Sequence, residues 1–289
     1  YLLENTAREV AGSGGWASVK TPQLHAMVRK YIDLYIRDEI TGYEEKSARF
    51  RYLFGRLRTT AEDIVDRMAE ELAESDFKPV AFELGFGGRD GTLPAITIQE
   101  GDATLSVSGK VDRVDGWLHD GKLYLRVVDY KTGRKSFDLS DVRYGLGIQM
   151  LLYLFTLEKE GQSCFGYPIV PAGVLYHPAR DLILKADRDI TPEALRRAMD
   201  RELRRDGMVL GDPEVLRAME HSALEAPCFL PIQVSKDGGI SGGVATAAQL
   251  GRLGQYVEKL LHQIIRELRQ GNIDADPCWR GPQESACTY

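Results

Sequence analysis

From Pro79 to Lys131 the chain alternates short apolar runs with acidic-glycine pairs, and no other stretch limits its fold as tightly. The runs are Val80–Leu84, Ile96–Gln99, Ala103–Val114 and Lys122–Tyr130, separated by Asp90-Gly91, Glu100-Gly101-Asp102 and Asp120-Gly121. Asp-Gly pairs supply the positive φ angles of tight hairpin turns. Residues 79–131 are therefore expected to form an antiparallel meander. A helix follows from about Ser140 to Lys159, then a Val/Ile-rich strand, Ile169–Tyr176.

Helices flank this core on both sides. Thr21-Pro22 starts one, with Leu24, Met27, Val28, Tyr31, Ile32 and Tyr35 at helical spacing. Another, about Ser47 to Ser75, carries Phe50, Leu53, Phe54 and Leu57, then Ile64, Val65, Met68 and Leu72, and the spacing assigns these to core-facing stripes. Residues 191–205, 212–222 and 246–270 read as helical, the last stopped by Gly271. The order helix, meander, helix, strand predicts an α+β or α/β core with helical additions at both ends.

Composition narrows the function. Lys plus Arg is 37 and Asp plus Glu is 43, a net charge of −6 in 289 residues, so the chain does not grip nucleic acid by bulk charge. Any such contact must come from a local patch or a partner subunit. The longest apolar run, around Leu151–Leu157, is far short of a membrane helix, so no membrane partner is expected. The chain starts at Tyr1 without an initiator Met and ends at Cys287-Thr288-Tyr289, which reads as a piece of a longer protein. Four cysteines, Cys164, Cys228, Cys278 and Cys287, show no pairing pattern, which favours a reducing, cytoplasmic setting.

The chemistry concentrates in Gly109-Lys110-Val111-Asp112-Arg113-Val114-Asp115 and Val127-Val128-Asp129-Tyr130-Lys131-Thr132-Gly133. Strand alternation turns Asp129 and Lys131 to one side. Asp112 lies in the preceding strand, about as far from the Asp120-Gly121 turn as Asp129 is. Two carboxylates on adjacent strands, with a lysine beside one, form a compact site for Mg²⁺, which leaves positions for phosphate and water. Taken alone, an Asp/Lys pair two residues apart also describes an ordinary half-exposed strand.

These two segments, followed by Gly147-Ile148-Gln149-Met150-Leu151-Leu152-Tyr153, resemble the RecB family of PD-(D/E)xK nucleases, and most of all the C-terminal nuclease domain of its AddB-type members. Phe77–Glu83 and Gly207–Leu210 share the likeness. The resemblance implies an α/β fold with a restriction-endonuclease-like core, a central mixed sheet flanked by helices, in one nuclease domain (core about 77–178, helical parts 1–76 and 190–289). It implies a DNA nuclease that hydrolyses phosphodiesters with one or two Mg²⁺, or Mn²⁺, and processes DNA ends and single strands with an AddA-type helicase–nuclease subunit in recombinational repair. Asp112 and Asp129 become metal ligands, with Glu83 a third, and Lys131 the catalytic lysine. Gln149 and Tyr153 match a Gln-x-x-x-Tyr helix motif, one face of a helix; the residues alone leave Tyr153 equally open to a core role.

Two departures bear on the site. The family's metal-binding His precedes the stretch that this chain begins with, and His25 sits on a periodic helix as a structural or surface residue. AddB-type domains hold a [4Fe–4S] cluster on four cysteines, and here Cys287 alone falls in matching context. The cluster is thus expected in the intact parent and not in this stretch, which is expected to be a poor nuclease by itself. Cys164 and Cys228 are expected to be buried small hydrophobes. Gly145-x-Gly147 lacks a dinucleotide-loop context, His177 and His221 lack metal spacing, and Arg196, Arg197, Arg201, Arg204 and Arg205 read as a solvated helix face or a DNA surface. The rival reading is a nuclease fold without chemistry that holds DNA or a helicase partner.

Overall fold

In the computed structural model, which describes residues 2–88, 91–133, 136–180 and 189–274, helices α1 (Leu2–Gly12), α2 (Thr21–Glu39) and α3 (Ala48–Ala73) come first. Strands β1 (Lys78–Phe86), β2 (Ile96–Glu100), β3 (Ala103–Val107), β4 (Gly109–His119) and β5 (Lys122–Lys131) follow, then α4 (Leu139–Arg143), α5 (Gln149–Phe165) and β6 (Ile169–Pro178). The remainder is α6 (Pro192–Glu202), β7 (Asp206–Leu210), α7 (Pro213–Met219), β8 (Ile232–Val234), β9 (Ile240–Gly242), β10 (Val244–Ala245) and α8 (Ala247–Arg269).

Among the described residues a six-stranded sheet runs β1-β4-β5-β6-β7-β10. It is mixed: β5 pairs β6 in parallel and β7 pairs β10 in parallel, while the other neighbours are antiparallel. Asp120 and Gly121 both take positive φ, 46° and 71°, and join β4 to β5 through the expected two-residue turn. Helix α5 is the crossover between parallel β5 and β6. Its Leu151, Leu154 and Leu157 share a core with Leu125, Val127, Val174 and Leu175. A separate cluster, built on Val10, Leu24, Val28, Val65, Met68 and Leu72, joins α1, α2 and α3. The α/β class and mixed central sheet are as expected.

Several local expectations change. The meander is interrupted, because β1 pairs directly with β4, and β2 and β3 form their own hairpin. That hairpin places Ile98 against Leu261 and Ile265 of α8. Asp90, of the first expected turn, lies outside the described residues. The single helix over 140–159 is two helices, since Gly145 and Gly147 take φ of 75° and 66° in the segment that separates α4 from α5. Phe50, Leu53 and Leu57 are exposed, so the outer half of α3 has more apolar surface than α2 covers. Cys164 is exposed and Cys228 half-buried, both free thiols; Cys278 and Cys287 lie outside the described residues.

The arginine cluster also divides. Helix α6 ends at Glu202, and Arg205 turns inward. Its Nε and Nη2 donate to Glu71 Oε2 at 3.1 and 2.6 Å. Arg126 Nη2 donates to Glu71 Oε1 at 3.0 Å, and Arg126 Nε and Arg113 Nη2 donate to Asp115 Oδ2 at 2.9 and 3.0 Å. All five side chains are buried, together with His177. Burial, and then the Arg205 guanidinium, hold the His177 imidazole well below its ordinary value of 6.5. In the unfolded chain this imidazole takes up a proton as pH falls through 6.5, and in the folded chain it does not. Stability is therefore full above that value and declines as pH falls toward the folded pKa, by about 1.4 kcal/mol per pH unit. Urea unfolding at a series of pH values should show this decline in the wild type and a shallower one in His177→Gln. Equal slopes would mean that His177 is not held neutral.

Candidate active site

The register of β4 and β5 brings the sequence-predicted residues together. The last paired residues are Arg113 and Val128, so Asp112 and Asp129 face each other one step beyond them. There the ladder stops. The Asp112 side chain crosses to β5 instead, and its Oδ2 accepts the Tyr130 N–H at 2.9 Å. Asp129 is buried, and Lys131 Nζ lies 2.5 Å from its Oδ2. Oδ2 is a buried oxygen whose partner is this ammonium. Lys131 Nζ also sits over the Tyr176 ring, 5.6 Å from its centre.

Glu83 on β1 lies between the pairs Phe82–Arg113 and Leu84–Val111, opposite Asp112. Its φ is 51°, which a non-glycine residue rarely adopts within a strand and which costs of the order of 1–3 kcal/mol. The strand needs it. Phe82 packs in the cluster under α2 and α3, whereas Leu84 and Phe86 belong to the core under α5. Regular alternation would keep all three on one face, and the left-handed turn at Glu83 switches β1 from one core to the other. The Glu83 carboxylate pairs with Lys110 at 3.1 Å. Burial raises the Asp112 carboxyl above its ordinary value; the Asp129 and Glu83 charges push the same way, while the Tyr130 N–H and Lys131 oppose them. Four of the sequence-predicted residues therefore share one electrostatic environment at one end of the hairpin.

Gln149 and Tyr153 occupy one face of α5, as their spacing requires. Gln149 is exposed, and its Nε2 donates to Tyr153 Oη at 2.9 Å. Tyr153 is a core residue. Its ring stacks on Phe86, 5.4 Å between centres, and its hydroxyl occupies the space that a Cβ on Gly109 would need. Its packing seats the start of α5 against β1 and β4.

Sequence reasoning missed Tyr130 as a link between the carboxylates and the interior. Tyr130 Oη accepts from Arg113 Nη1 at 2.8 Å and donates to Met68 Sδ at 3.3 Å. Asp112 is thus tied through the Tyr130 backbone to the buried Arg113–Asp115 pair. The available signal was the Asp112-Arg113-Val114-Asp115 run itself, in which alternation turns Arg113 inward. Tyr176 and Asp206, which pair across β6 and β7, extend the row that begins at Asp129, which itself pairs with Tyr176.

The donor set fits a hard divalent cation. Two carboxylates approach from adjacent strands, and Mg²⁺ uses one or two carboxylates plus water and phosphate. Among the described residues no group of three or more His, Cys, Asp or Glu is arranged to hold a metal ion.

A parallel/antiparallel sheet with clustered carboxylates and a lysine at the end of its central hairpin is nuclease-like, and comparison of the sequence agrees. A profile of the PD-(D/E)XK nuclease superfamily matches residues 9–289, and the chain belongs to that superfamily. It is homologous to the AddB-type subunits of ATP-dependent helicase/deoxyribonucleases. The Acetivibrio thermocellus protein is 36% identical over 292 residues, covering all of this chain and 25% of its own length. That of Clostridium tetani is 29% identical over 280 residues, covering 96% of this chain and 24% of its own length. That of Thermoanaerobacter pseudethanolicus is 31% identical over 280 residues, covering 95% and 24%. The chain spans about a quarter of the length of these relatives.

Proposed function

We propose that this chain is one metal-dependent deoxyribonuclease domain of a longer, cytoplasmic helicase–nuclease protein that processes DNA ends with an AddA-type partner. The observation that carries the reading is the convergence of Asp112, Asp129 and Lys131, with Glu83 nearby, at the end of the β4–β5 hairpin. Asp112 and Asp129 would hold Mg²⁺ or Mn²⁺, with Glu83 adding negative charge from β1. When bound, the cation supplies electrostatic stabilisation of the charge that develops on the scissile phosphate.

The residues do the rest. The Tyr130 N–H fixes the Asp112 carboxylate, so its second oxygen is free to face the site. Lys131, in contact with Asp129, orients the attacking water and offsets phosphate charge. Gln149, exposed at the start of α5 and anchored on Tyr153, contacts the DNA strand. Cys287 would serve a [4Fe–4S] cluster in the intact protein. A second reading, in which the fold holds DNA or the helicase partner without cleaving, draws on the lack of a three-ligand group among the described residues. Incubating the full-length protein with linear single-stranded DNA separates the two. Cleavage that requires Mg²⁺ or Mn²⁺ and stops with a chelator is expected; binding without cleavage under any divalent cation would select the second reading.

A further inference from the structure

We propose that the outer half of α3 is a binding face for single-stranded DNA, apart from the groups that carry the chemistry. The starting point is the apolar stripe whose periodicity assigned it to a core. In the fold Tyr52 is 67% exposed, Leu57 61%, Leu53 48% and Phe50 38%. Arg49, Tyr52, Leu53 and Arg56 follow the i, i+3, i+4, i+7 spacing of one helix face, and all four are exposed. Phe50 borders this face; it stacks on Phe54, which meets Tyr43 edge-on, so the aromatic surface continues off the helix.

Charge decides the occupant. Residues 46–58 carry Lys46, Arg49, Arg51, Arg56 and Arg58 and no acid, in a chain of net charge −6. Of these, Arg58 pairs with Asp33 of α2 and Arg51 leans toward Glu44. Glu45 precedes the stretch, and the face centred on Tyr52 and Leu53 carries no carboxylate. Exposed aromatic rings between arginines are the means by which proteins hold single strands: bases stack on the rings and phosphates meet the cations.

Position fits as well. Met68, sixteen residues along the same helix from Tyr52, accepts from the hydroxyl of Tyr130, which lies between Asp129 and Lys131 in sequence with its ring on the other face of β5. At 1.5 Å per residue that is about 24 Å, a span of several nucleotides. The choice of a nucleic acid over another polyanion rests on the nuclease reading proposed above.

The test is binding, kept separate from cleavage. Fluorescence anisotropy of a labelled oligothymidylate, with the whole chain in a chelating buffer, should show Tyr52→Ala weakening affinity roughly 5- to 50-fold. Arg49→Ala should lower the slope of log affinity against log salt by about 0.7, one phosphate contact's worth. Tyr167→Ala, another exposed aromatic, beyond the far end of α5, should leave both unchanged. Tyr52 is exposed, so thermal melting should match the wild type. Wild-type affinity in both variants would overturn the proposal, as would equal losses on a duplex and a single strand in Tyr52→Ala. Variants that keep DNA affinity but fail to join the helicase partner would make this a protein interface, and that also overturns it. Failure of the nuclease reading looks different: single-strand binding lost in these variants, with no cleavage by the wild type.

Discussion

Lys131→Ala is expected to slow DNA cleavage by roughly 10²–10⁴-fold, the worth of a positioned acid–base or electrostatic group, with little loss of DNA affinity. The ammonium lies 2.5 Å from a carboxylate oxygen of Asp129 and over the Tyr176 ring, at the end of β5, so its place is set by two neighbours rather than by the strand alone. Asp129→Asn should go further and abolish cleavage. The amide keeps the shape of the carboxylate but removes the charge a cation needs, and Asp112, with one oxygen engaged by the Tyr130 N–H, leaves it a single carboxylate oxygen. Single-turnover rates with the full-length protein, alongside equilibrium binding, separate the two effects. A loss below about tenfold in Lys131→Ala would remove that residue from the chemistry.

The parts of this site that were legible in the sequence are those that obey local rules. The Asp120-Gly121 turn fixes the hairpin register, and register alone sets Asp112 opposite Asp129. The i, i+4 spacing of Gln149 and Tyr153 places them on one face, and the Thr246 cap starts α8 where the pattern predicts. What was not legible depends on partners distant in the chain. Alternation shows that β1, β2 and β3 are strands, but does not say that β1 skips two of them to pair with β4. The positive φ at Glu83 answers a demand from two cores lying on opposite sides of β1, which nothing in Phe82-Glu83-Leu84 announces. Periodicity marks Phe50, Leu53 and Leu57 as able to face a core; whether a helix covers them is decided by where α2 ends. Arg205 reads as solvated among its basic neighbours because its carboxylate partner stands far away on α3.

That buried partner should carry the largest stability effect in the molecule. Glu71→Ala is expected to cost about 3–5 kcal/mol, because removing one member of a buried ionic group leaves uncompensated charge in the interior. The arrangement makes the imbalance severe. Arg113, Arg126 and Arg205 are answered by only Glu71 and Asp115 within the network, and Glu71 accepts three of its hydrogen bonds. Burial would raise the Glu71 carboxyl, yet the Arg205, Arg126 and Arg113 guanidiniums hold it well below its ordinary value of 4.5, so it stays ionised. The adjacent residue is the control. Glu70 also meets two arginines, Arg67 and Arg196, but it is half-exposed and the buried Arg67 keeps Asp200 without it, so its loss should cost about 0–1 kcal/mol. Urea unfolding of Glu70→Ala and Glu71→Ala should therefore differ by several kcal/mol between neighbours in the sequence. Because Glu71 joins α3 to β4, β5 and the approach to β7, its loss should also loosen Tyr130 and, through it, the seat of Asp112. Equal costs for the two variants would show that the network is hydrated and that α3 is held on the sheet by its apolar contacts alone.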